Sequence, residues 1–109
     1  MSKLKMHIVL RWDLSAQAAI VAASHASLGT YLTFKNNPLM QEWQRTSFIK
    51  ILHRPLNREH WENCKNFGEH RVFTESSLGN LEVAIGFDIT RNESIYFKDI
   101  PLWTLNPQE

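Results

Sequence analysis

The sequence predicts an α/β fold: a mixed four-stranded sheet with helices on both faces, in the order β-α-α-β-α-β-β. Three observations predict it. Short runs rich in β-formers, "MHIVLRW" (6–12), "FIKILH" (48–53), "RVFTE" (71–75) and "LEVAIGFDI" (81–89), alternate with stretches of helical character. The first two runs are joined through helices and should lie parallel, whereas the last two are joined by the turn "SSLGN" (76–80) and should pair antiparallel. In the last run, Leu81, Val83, Ile85, Phe87 and Ile89 alternate with Glu82, Ala84, Gly86 and Asp88, so the second face of that strand is small at its middle.

The first strand leads into "DLSAQAAIVAASHASLGTYL" (13–32), the bulk of a helix expected over 15–34. Alanine favours a helix intrinsically. Its small side chains also let this helix lie against the Ala84/Gly86 face of the last strand. Asp13 or Ser15 can cap it, because a short side-chain oxygen accepts from the free N–H groups of the first turn. "NNP" (36–38) ends it, and Pro38 suits the first turn of a short second helix, "PLMQEWQRTS". Pro55 closes the second strand. "NREHWENCKNFGE" (57–69) is the third helix, with Asn57 as N-cap and Gly68 at the C′ position. After the fourth strand, "TRNES" and a helical turn lead to "IPLWTL", a short edge piece at most, because Pro101 cannot donate to a ladder.

The 109 residues predict a single domain, and no internal repeat or low-complexity tract interrupts them. A net charge of +1 is too balanced to bind nucleic acid through bulk charge, so such a site would have to be a local patch. One cysteine, Cys64, excludes an intrachain disulfide framework and fits a reducing compartment. "HIVL" behind the basic amino terminus is too short for a signal peptide or a membrane span. The expected protein is cytoplasmic, with no membrane partner.

Asp13 and Ser15 fall where the first strand ends and the helix begins, the edge at which open α/β sheets bind ligands. Glu75 ends the third strand and reaches that edge if this strand runs parallel to the first. As purely structural groups, Asp13 and Ser15 would be caps and Glu75 a turn carboxylate. His25 cannot hydrogen-bond Ser15 within one straight helix, since ten residues of rise separate them by roughly 15 Å. It is expected to be hydrogen-bonded and partly buried. His60 and Cys64 share a helix face but make only half of a zinc site, and nothing in the spacing requires His53 or His70 to complete it. The expectation is no metal and no cofactor. Arg11 and Arg54 stand at or just past strand ends, where a basic rim could meet phosphates.

"VLRWDLS" leading into "AAIVAASHASLGTYL", followed by "NPLMQEW", a strand and "EVAIGF", resembles the type II peptidyl-tRNA hydrolase family, the archaeal and eukaryotic kind. The resemblance spans about residues 5–105. It implies a mixed four-stranded sheet, hydrolysis of the ester joining a peptide to the 3′ ribose of tRNA, and tRNA or peptidyl-tRNA as the partner. The family's helix opens with a Gly-Lys pair. Counting back from His25, the lysine position falls on Ala18 and a later glutamine position on Ala22. The family's aspartate falls on Glu75, and Ser76 or Ser77 could supply the hydroxyl of its threonine. The chain is thus similar to a divergent subgroup that also lacks the Gly-Lys pair. Losing one donor to a developing oxyanion costs about 3 kcal/mol, roughly 10²–10³ in rate.

Two readings follow from the resemblance. In the first, an esterase, Glu75 or Asp13 orients or deprotonates a water. Ser15, Ser77 or a first-turn N–H holds the oxyanion, and Arg11, Arg54 and His25 contact the substrate. In the second, the same fold binds tRNA or a protein without chemistry. The oligomeric state stays open, a homodimer included.

Overall fold

A computed structural model describes residues 3–91 and 94–104. Its elements are β1 (Lys5–Leu10), α1 (Ala16–Thr33), α2 (Pro38–Arg45), β2 (Ile49–His53), α3 (Arg58–Cys64), β3 (His70–Glu75), a single 3₁₀ turn (Ser76–Leu78), β4 (Leu81–Phe87) and α4 (Ser94–Phe97). The four strands form one mixed sheet in the order β2-β1-β4-β3. β1 and β2 are parallel, and β4 is antiparallel to both β1 and β3. β3 therefore runs with β1, and Glu75 ends at the same edge as Leu10.

Side-chain alternation divides the core into two layers. Met6, Ile8 and Leu10 of β1 pack with Ala19, Ala22 and Ala26 of α1 and with Met40 and Trp43 of α2. Val9 turns the other way, joining Trp61 and Cys64 of α3 and Phe97 of α4. Trp43 and Trp61 are each 1% exposed and anchor the two layers. Full burial of side chains of this size contributes about 3 kcal/mol each. As expected, α1 lies on Ala84 and Gly86, so closely that a Cβ added at Gly86 would fall on Thr30 Oγ1 and one added at Gly29 would meet the Phe73 ring.

The clean alternation expected along the last strand fails at one point. Phe73 faces Ala84, but the next residue of β3, Thr74, faces Glu82. Val83 is the extra residue of a β-bulge, which bends the strand and shifts its faces by one. Val83 and Ala84 both belong to the α1 layer, while Ile85 and Phe87 belong to the other. Glu82 points toward α3, where Lys65 Nζ donates to it at 2.8 Å.

Several boundaries differ from the sequence expectation. β1 ends at Leu10, and Arg11–Asp13 form the turn to α1. Ser15 is the N-cap, accepting from Ala18 N at 3.2 Å, whereas Asp13 is engaged by Arg11 Nε at 2.8 Å. Ser15→Ala should therefore cost about 1 kcal/mol, read from the urea midpoint, while Asp13→Ala should stay within about 0.5 kcal/mol of wild type. α3 stops at Cys64 with Lys65 as its C-cap, so Gly68 is not its C′ glycine but a left-handed residue (φ 152) further along the loop. "SSLGN" is the 3₁₀ turn, closed by Gly79 at φ 69. The edge piece near Pro101 reduces to one bridge between Leu102 and His53, flanked by Arg54 N–Pro101 O and Trp103 N–Leu52 O bonds.

Candidate functional site

Three of the four expected catalytic residues meet. Ser15, Glu75 and Ser77 line one cleft of about 240 Å³ at the start of α1, with Gln17, Ala18, Val21 and Leu78 around them. The parallel course of β1 and β3 brings Glu75 to this edge. The β-bulge turns Val83 into the same cleft and supplies its apolar floor, a contribution that the sequence pattern had placed on the opposite face.

Glu75 caps the 3₁₀ turn. Its Oε2 accepts from the Ser77 hydroxyl at 2.8 Å and from Ser77 N at 3.2 Å. These two donors, hydroxyl first, hold the Glu75 carboxyl below its usual range, and the nearby His25 adds a smaller pull in the same direction. Glu75 is thus an anion at neutral pH and a weak base. Its Oε1 has no hydrogen bond among the described residues. Ser15 Oγ is engaged by Ala18 N, and the N–H groups of Ala16 and Gln17 are without a partner among the described residues. The positive end of an 18-residue helix, equivalent to about half a charge, therefore faces the cleft beside a fixed carboxylate.

Asp13 is not part of this cleft. Its carboxylate is tied to Arg11 beyond the end of β1, so the expected Asp13–Ser15–Glu75 convergence reduces to Ser15 and Glu75. His25 is exposed rather than partly buried, has no hydrogen bond among the described residues, and stands edge-on to the Phe73 ring at 6.0 Å. It lies on the flank of α1 that faces β3, two turns below Ala18. The short side chains around it leave it in solvent.

Arg11 and Arg54 are near the same sheet edge but not in the cleft. Arg11 lines a second depression of about 330 Å³ with Trp12, Arg58, Trp61 and Glu82. Its guanidinium carbon lies 4.2 Å from the Trp12 ring centre, and that of Arg58 lies 5.7 Å from it. Trp12 was not foreseen as a site residue, because it read as the last residue of a strand. Arg54 Nε reaches Trp12 O at 3.4 Å.

The metal-ligating candidates are dispersed. His60 Nδ1 accepts from Leu56 N, His53 pairs with His7, and His70 Nδ1 lies against Gly68 O. Burial pushes the Cys64 thiol up to about 11, which leaves it protonated and inert. Among the described residues no group of three or more His, Cys, Asp or Glu is placed to hold a metal, and no helix is long and apolar enough to cross a membrane. No family model matches the sequence, and no curated protein matches it either.

Proposed function

We propose that this chain hydrolyses, slowly, the ester between a peptide and the 3′ ribose of tRNA. The observation that carries this reading is the meeting of Ser15, Glu75 and Ser77 in one cleft at the N-terminus of α1. The likeness of "VLRWDLS…AAIVAASHASLGTYL…EVAIGF" to the type II peptidyl-tRNA hydrolase family supplies the substrate. Glu75 Oε1 holds a water, whose oxygen adds to the ester carbonyl carbon while its proton passes to Glu75. The oxyanion rests on the free N–H groups of the first turn of α1. Collapse expels the ribose 3′-oxygen, which takes the proton back from Glu75. Trp12, with the guanidinium groups of Arg11 and Arg58 near its ring, offers an aromatic surface with adjacent cations to the unpaired end of the tRNA.

One observation favours the second reading, a module that binds tRNA without turnover. Glu75 is held anionic by Ser77, which weakens it as a base, and Ala18 supplies no cation to the oxyanion. Release of peptide from a synthetic peptidyl-tRNA separates the two. Wild type should show slow release, Glu75→Gln should lower it at least about 10-fold, and Asp13→Asn should leave it unchanged. Ala18→Lys should raise it about 10-fold or more, which needs only about 1.4 kcal/mol of transition-state stabilisation. Ala18→Met controls for bulk. Intact tRNA binding with no release by either wild type or Ala18→Lys would leave the binding module as the function.

A further inference from the structure

A groove of about 750 Å³ lies on the other flank of α1, away from the cleft. α1 covers β1, β4 and β3 but leaves β2 open, so Ile8 and Leu52 form the floor between α1 and the end of α2. That volume falls in the range of small-molecule sites. We propose that this groove binds a small amphiphile with an apolar body and a single anionic head, its carboxylate seated on Lys50.

Three features select that chemistry. The helical wall has no Asp, Glu, Lys or Arg anywhere from Ala16 to Thr33, and Leu28 on its rim is 62% exposed. Such an uncharged surface takes an apolar body at no desolvation cost to an ion. Lys50 is the lone charge in the lining, and it makes no ion pair among the described residues. Its Nζ sits 3.3 Å from the Phe48 ring centre and, among the described residues, donates only to Phe48 O, at 3.2 Å. A cation resting on an aromatic face beside an apolar slot has hydrogen-bonding capacity left for one incoming carboxylate. A nucleotide, with more negative charge, would need further cations that the lining lacks.

The third feature is Phe48 itself. Its φ of 54 is an unfavourable conformation for a bulky residue, yet the Phe48 N–H bond to Trp43 O at 2.8 Å fixes it there. The result is an aromatic ring held at the mouth of the groove, 51% exposed, against Trp43 at 5.0 Å. Folding alone would be served as well by a glycine at this position. Ser24, Ser27 and Tyr31 add hydroxyls along the opposite wall.

Titration calorimetry with monomeric dodecanoate, and with dodecan-1-ol as the uncharged counterpart, tests the site. One dodecanoate should bind per chain, at least 10-fold tighter than the alcohol. Lys50→Met should abolish that preference while leaving the alcohol's affinity unchanged. Ser27→Trp, which fills the groove, should weaken both ligands at least 10-fold, and Ser24→Trp on the exposed part of the same wall is the second blocking variant should Ser27→Trp fail to fold. No saturable dodecanoate binding, equal affinity for acid and alcohol, or dodecanoate affinity unchanged by both tryptophans would each overturn the proposal. A wild-type dimer in sedimentation that the tryptophan variants make monomeric would also overturn it, giving the groove to a second copy of the chain.

Discussion

Between pH 7.5 and pH 5 the folded protein should lose at least about 2 kcal/mol of stability, about that much from His7 alone and more from His53. His7 on β1 and His53 on β2 face the α3/α4 layer, with His7 Nδ1 2.8 Å from His53 Nε2. One nitrogen must donate and the other accept. Adding a proton turns the acceptor into a second donor and breaks the bond. Phe97 stacks flat on His7 at 4.1 Å, and His7 Nε2 is buried without a partner among the described residues. Burial, then the charges of His53 and Lys5, pushes His7 down to about 3, and burial also lowers His53. In the unfolded chain both titrate near 6.5. Below that pH the unfolded state takes up protons that the folded state refuses, so stability falls by about 1.4 kcal/mol per pH unit for each such group. For His7 the fall continues until its folded value near 3. Glu75 and Glu82, whose carboxyls are held low, add their own loss only at more acid pH.

Urea midpoints at pH 7.5 and pH 5 read this directly. Equal stabilities at the two values would remove the pair as the source. A His7→Leu/His53→Leu double variant should be flat to about 0.5 kcal/mol over the same interval. In the wild type, the ring signals of His7 in NMR should not titrate above pH 4.5.

Gly86→Leu should destabilise the protein by about 3 kcal/mol, a fall in Tm of more than about 10 °C. Gly86 sits at the centre of the sheet opposite Ile8, beneath Thr30, which is fully buried. The space where its side chain would be is occupied by the Thr30 hydroxyl, with the Phe73 ring beside it. The larger residue can be seated only if α1 lifts, and α1 covers that core layer with Ala19, Ala22 and Ala26. Gly86→Ala meets the same obstruction on a smaller scale. Thr30→Ala removes a buried hydroxyl that lacks a partner among the described residues and should restore part of the stability of Gly86→Ala. A double-mutant cycle showing strict additivity of these two changes would mean that they do not touch.

Much of the fold was legible because its signals were local. Pro38 at the first turn of α2, Asn57 as the cap of α3 and the tight link between β3 and β4 each act within a few residues. The small face of β4 and the alanines of α1 matched each other across the chain, and they pack together. The bulge at Val83 could not be read, because its cause lies in how β3 registers against β4 and not in the strand's own alternation. The same limit hid the His7–His53 pair: His53 was weighed only as a zinc ligand, and nothing local in either strand shows that the parallel register places Val9 opposite His53 and His7 two residues back on the same face. For the cleft, Ser15, Glu75 and Ser77 were legible as residues at strand and helix ends. Asp13 misled because Arg11, two residues before it, outcompetes the helix for its carboxylate.

The strand order also sets a timetable. β1 is made before the other strands and becomes an inner strand, yet its partner on one side is β4, with Ile8 opposite Gly86. During synthesis β1 can recruit β2, but its other edge stays open until the ribosome has delivered almost the whole described chain. α1 is exposed for the same interval, with its alanine face waiting for Gly86 and with no charge along its length to keep it apart from other nascent chains. Pairing across so much sequence slows the closing step. The most vulnerable moment for this protein is therefore before β4 emerges, and a chaperone that holds α1 until then would act on yield without altering the final fold.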